Sequence, residues 1–165
     1  QALAMYEAAG DPAGAAAMHA RVALVLAAGS EVNDNPAAVR HLDAAASVLE
    51  AGPPGRAQLS YYSARGLLAV WQENPRQGLE DSRIGMELAT ELGEDDRWVS
   101  NAVMHSAHLT KLGNVGESIE LNSRMVFNQL TNRLKSGLND FARLLQENIP
   151  EFGLVIVFLP ELGAT

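Results

Sequence analysis

The side chains of this chain best suited to acid–base or metal chemistry are its four histidines, His19, His41, His105 and His108, because it contains no cysteine. His105 and His108 stand three residues apart, so on a helix they share a face at a spacing that can hold one metal ion. No third ligand falls beside them in a recognisable pattern. All four are therefore read as packing or surface residues. Met18-His19 and Met104-His105 look like a repeated pair, but they sit out of register against Gly29 and Gly113. No metal and no cofactor is expected.

Other chemistry is equally sparse. The chain carries no glycine-rich phosphate loop, no Gly-x-Ser-x-Gly nucleophile turn and no His-Glu-x-x-His helix. The acidic run Glu94-Asp95-Asp96 lacks the alternating ligands and internal glycine of a calcium loop. A non-enzyme is expected. A formal net charge of −8 disfavours direct contact with nucleic acid or an anionic membrane surface. The absence of cysteine fits a reducing compartment, and a cytoplasmic location is expected. Gln1 to Ala9 has neither the basic start nor the apolar run of a secretion signal. A first residue other than Met suggests a fragment. The apolar run Phe152 to Leu159 is far shorter than the roughly 20 residues of a bilayer span.

The elements that would position any site are helices. Asn35-Pro36, Asn74-Pro75 and Asn114-Val115 recur at steps of roughly 40 residues, within the range of helical-hairpin arrays. Each follows one apolar helical stretch and opens another. An apolar stripe from Ala2 to Ala9 ends at Gly10, and Asp11-Pro12 supplies a cap and a first-turn proline for a helix reaching about Ala28. Beyond the polar insert Ser30 to Asp34, a helix from Asn35 runs to about Glu50 and is closed by Gly52-Pro53-Pro54-Gly55. Helices are then expected over 56–72, from Asn74-Pro75 to Leu92, and over 97–112. Asn114 with Glu117 has capping-box spacing for a seventh.

Short loops between such helices force antiparallel pairs, and successive pairs must stack to bury their remaining apolar faces. Gly66, Gly78 and Gly85, then Ser106 and Ser118, supply small residues at recurring places in these pairs. On these residues the chain resembles tetratricopeptide repeats, in the longer-period form of bacterial regulatory proteins. Val22 and Met125 depart from the small-residue pattern, and the family's proline at the end of the second helix is absent. The resemblance implies an all-α, right-handed superhelix of antiparallel helix pairs, a TPR-like α-solenoid, over residues 1–129. Residues 130–165 form its atypical C-terminal capping segment and apolar tail. All but two of the alanines precede Leu109, and the composition turns Asn-, Leu- and Phe-rich after Met125. There Gly137 is expected to break the helix, with Asn139 or Asp140 capping another through Glu147. Phe152 to Leu159 reads as either the end of a capping helix or a buried strand.

The same resemblance implies a non-catalytic scaffold or sensor module of a larger bacterial regulatory or signalling protein, including transcription regulators. It would bind a protein or peptide segment, or a sister domain of the same chain, on a concave face lined by the first helix of each pair. The residues placed there are His19, Ser60, Ser63, Trp71, Ser100, Thr110 and Lys111. Trp71 reads equally as a binding anchor or as a helix-interface core residue. The Lys, Asn and Arg clamp of chaperone-binding family members is missing from the matching positions. Two other readings stand beside this one: a small-ligand-sensing helical domain, and a structural module that forms homo-oligomers through the apolar tail.

Overall fold

A computed structural model describes residues 2–28 and 35–148, leaving aside the side chains at 129, 132, 142 and 144–148. These residues form seven helices: α1 (Ala2–Ala9), α2 (Pro12–Ala28), α3 (Asn35–Leu49), α4 (Arg56–Trp71), α5 (Pro75–Glu91), α6 (Asp95–Lys111) and α7 (Val115–Asn148). The described residues contain no strand. The chain is all-α. No described helix is long and apolar enough to cross a membrane. Two compact units divide it, residues 1–123 and 124–165. The insert Ser30 to Asp34 and the run Phe152 to Leu159 lie outside the described residues.

The expected punctuation sets most boundaries. Asp11 Oδ1 accepts from Gly14 N at 2.9 Å, and Asn74 Oδ1 accepts from Gln77 N at 3.4 Å, so α2 and α5 open on side-chain caps. Helices α1, α4, α5 and α6 close with the same backbone bond. It runs Asp11 N to Tyr6 O, Asn74 N to Ala69 O, Glu94 N to Ala89 O and Asn114 N to Leu109 O, at 2.8–3.0 Å. That bond requires a left-handed residue just before the donor. Gly10, Gly93 and Gly113 provide it with φ of +65°, +66° and +86°, whereas Glu73 adopts +53° without being glycine.

Two expectations are corrected. Helix α6 begins at Asp95 rather than Arg97. The carboxylates of Asp95 and Asp96 are stabilised inside the first turn by the free N–H groups and the helix dipole. Glu94 forms no side-chain cap, because its carboxylate meets Arg56 Nε at 2.6 Å. Gly137, in turn, does not break α7, which continues to Asn148. A single interior glycine costs only about 1 kcal/mol relative to alanine, which the helix-forming neighbours offset. No close packing demands it either, since nothing lies within 4 Å of where its Cβ would be.

In the first unit, α2 packs on α3, α4 on α5 and α5 on α6, while α4 also meets α2 and α6. Links of three residues between α4, α5 and α6 make these neighbours antiparallel. The buried faces of α2 and α3 repeat one spacing: Ala16, Ala20, Ala23 and Ala27 on α2, and Ala38, Leu42, Ala45 and Leu49 on α3. All eight are buried, and Tyr61, Ala64 and Leu68 of α4 close the cluster. Where α4, α5 and α6 cross, a Cβ on Gly66 would lie 3.5 Å from Ser82 N, whereas one on Gly78 would overlap the His108 ring and one on Gly85 the Asn101 side chain. The small residues singled out in the sequence are therefore places of close helix approach.

Candidate functional site

The residues expected on one binding face fall into different environments. Ser60 and Ser63 are buried on α4. Ser60 Oγ accepts from Arg97 at 2.7 Å, and Ser63 exchanges two hydrogen bonds with the Asn101 carboxamide, at 3.2 and 3.0 Å. His19 turns to α3, its Nδ1 2.7 Å from Nδ1 of His41. Trp71 ends α4 at 54 % exposure. Ser100, Thr110 and Lys111 are exposed on α6. Lys111 Nζ donates to Val70 O at 3.0 Å, tying α6 to the end of α4. Thr110 Oγ1 lies 2.9 Å from Ser118 Oγ, which also meets Ser106 Oγ at 2.7 Å.

The histidines serve packing and hydrogen bonding. His108 is fully buried, with Nε2 3.0 Å from the carbonyl of Gly66. A carbonyl can only accept, so Nε2 carries the proton and Nδ1 is the bare nitrogen, which has no partner. Burial holds the His108 imidazole below its ordinary pKa, with Lys111 adding to the effect and the Gly66 bond opposing it. His105 Nδ1 meets Ser82 Oγ at 3.0 Å, and burial lowers its pKa as well. The hydroxyl proton of Ser82 is committed to Gly78 O at 2.7 Å, so His105 donates. The His105 and His108 rings thus form hydrogen bonds to different helices, α5 and α4. Among the described residues no group of three metal-ligating side chains converges.

What sequence reading did not single out is a cluster of arginines. A cleft of about 460 Å³ lies among α2, α4 and α6, lined by Arg21 and Ala17, by Arg56, Ala57, Leu59 and Ser60, and by Glu94 and Arg97. Three guanidiniums face one carboxylate, a local charge of +2 on a chain of −8. Arg56 is held by Glu94 at 2.6 Å, and Arg97 donates to Ser60 while its own carbonyl accepts from Asn101 at 2.8 Å. Those contacts fix the cleft's polar edge. Arg21 is exposed and makes no hydrogen bond or ion pair among the described residues. The three arginines come from three helices, 35 and 41 residues apart, so no local motif announces them.

The guanidiniums on the cleft wall attract anions and repel cations. The cleft carries no nucleophile paired with a base. Comparison with protein-family models, with curated proteins and with solved structures yields no match for this chain.

Proposed function

We propose that this chain is a non-catalytic binding module that takes up an acidic protein or peptide segment on the face formed by α2, α4 and α6. The reading rests on one observation. The arginine cleft reverses the sign of the protein's charge on that face, and complementary charge steers a partner and fixes its register. Beyond the cleft, at the far end of α4, Trp71 is 54 % exposed. Aromatic anchors of this kind carry a large share of binding energy.

In this proposal the helix pairs form a TPR-like right-handed superhelix, with α2, α4 and α6 as the inner helices. The contacts of α4 with both α2 and α6 support that arrangement. The module would act as the cytoplasmic scaffold or sensor part of a larger bacterial regulatory or signalling protein, and the acidic segment could belong to a sister domain of the same chain. Fluorescence anisotropy tests it. A labelled peptide alternating Asp with Leu should bind saturably, its Lys-for-Asp counterpart should not, and Arg21→Glu should weaken binding about tenfold. Equal binding of both peptides contradicts the proposal.

A second reading, self-association, is favoured by α7. Phe127, Leu134 and Phe141 recur every seven residues at 70, 68 and 59 % exposure, the period by which two helices keep one seam together. Light scattering of the whole chain against Leu134→Glu decides it: a dimer reduced to monomer by the substitution supports a seam between two copies, and a monomer in both forms removes it.

A further inference from the structure

Of the second unit, the structure describes the stretch of α7 from Arg124 to Asn148. Met125 is the last buried side chain described there, and beyond it every described side chain is exposed except the half-buried Thr131. Val126, Phe127, Leu130, Leu134, Leu138 and Phe141 are 55–70 % exposed. At about 3.6 residues per turn these six share one side of the helix. Covering them takes roughly 600 Å² from water on each copy of a pair, which approaches the roughly 800 Å² a side of a stable interface before flanking residues are counted. An apolar strip of that size marks a contact surface.

Charges beside the strip identify its occupant. On the heptad that puts Phe127, Leu134 and Phe141 at a, Leu130 is at d, and Arg133 and Asp140 are successive g positions of opposite sign. Arg133 makes no hydrogen bond or ion pair among the described residues. Asp140 meets Arg143 of the same helix at 3.3 Å, with both side chains largely exposed. In a parallel pair each g faces the e position that follows on the other helix, so Arg133 would meet Leu138. In an antiparallel pair g faces g, and Arg133 of each copy meets Asp140 of the other.

Two observations give one register. Pairing Arg133 with Asp140 centres the two helices near Ser136. The stretch from Arg124 to Asn148 has its midpoint at that same residue, so this register overlaps it over its whole length. It also sets Phe141 of each copy against Leu130 of the other, with the two Leu134 side chains on either side of the twofold axis. A face whose charges and apolar groups complement themselves about such an axis fits a second copy of this chain.

We infer that the chain forms a twofold dimer through residues 124–148 of α7, the two helices antiparallel, with Arg133 of each copy paired to Asp140 of the other. This rests on the self-association reading above and adds its direction and register.

Sedimentation equilibrium of the whole chain tests it by charge reversal. Arg133→Glu and Asp140→Arg should each weaken the dimer about tenfold, since each turns two attractions into two repulsions. Combined, the two substitutions restore opposite signs and should return the affinity to within about threefold of the original. Both positions are exposed, so the fold does not depend on them. Introduced cysteines read the direction separately, because the chain has none of its own. On oxidation, Leu130→Cys mixed with Phe141→Cys should give the mixed disulfide, and Leu130→Cys alone should stay unlinked. If the unsubstituted chain is a monomer, self-association falls and the inference with it. A dimer that the combined reversal does not rescue, or one in which Leu130→Cys links to itself, leaves self-association standing and overturns the antiparallel arrangement.

Discussion

His108 occupies the space that a β-carbon on Gly78 would fill, and from there its Nε2–H donates to the carbonyl of Gly66, so one imidazole joins α6 to both α5 and α4. Two glycines on two helices thus serve one side chain of a third.

This relationship predicts opposite outcomes for two Gly→Ala substitutions. In a helix, alanine for glycine ordinarily gains up to about 1 kcal/mol. Gly137→Ala, with open space around it, should stabilise by up to about that amount. Gly78→Ala must displace the His108 ring and break its bond, so it should destabilise by about 2–4 kcal/mol. Urea unfolding measures both. A neutral or stabilising Gly78→Ala would mean that the helices have room to separate there.

Acid should weaken the fold well before its carboxylates are protonated. Burial holds His41, His105 and His108 below their ordinary value of 6.5, with His19 and Arg40 adding to the shift at His41. As pH falls through 6.5 the unfolded chain takes up these protons while the folded chain does not. Their contribution is therefore complete above that pH and is lost as pH falls toward the depressed folded values. Asp81, raised from 3.8, acts in the opposite direction, because the fold takes up that proton first and gains stability as pH falls toward 3.8. Three groups oppose one, and they titrate first. The urea midpoint should fall between about pH 7.5 and about pH 5.5. A midpoint that holds or rises across this interval contradicts the assignment.

Glu73 stands alone among the four left-handed helix ends in having a side chain. Forcing an L-residue into that region costs roughly 1–2 kcal/mol, which glycine avoids. Glu73→Gly should therefore raise stability by about 1 kcal/mol, less what glycine adds to the freedom of the unfolded chain. A shift of the thermal midpoint by a few degrees upward is the expected result. A lower midpoint would assign Glu73 a compensating contact.

The helices were legible because their ends are written in residues with one local meaning. Gly10, Gly93 and Gly113 mark left-handed ends, while Asp11 and Asn74 are caps, and all act within four residues of themselves. The small positions Gly66, Gly78 and Gly85 were legible through the repeat spacing. Gly137 was misread because glycine marks a break only when backbone geometry or a neighbour requires it, and neither does there. Glu73 was invisible, since nothing in its type signals a positive φ. The arginine cleft, the His19–His41 pair and the Arg65–Asp81 contact join residues 16 to 76 positions apart on different helices. Such pairings follow from how helices stack, and no single segment carries them. The residues expected on the binding face divided for the same reason. Periodicity places a residue on a helix face, while the neighbouring helix decides whether Ser63 meets Asn101 or solvent.

The central claim is that the face of α2, α4 and α6 receives an acidic segment, and a two-dimensional ¹H–¹⁵N titration tests it most directly. With the labelled chain and an alternating Asp-Leu peptide, saturable shifts should concentrate on Ala17, Arg21, Ala57, Ser60 and Arg97, and should shrink as added salt screens the guanidiniums. Shifts that cluster elsewhere, or that match those from the Lys-Leu peptide, would contradict it.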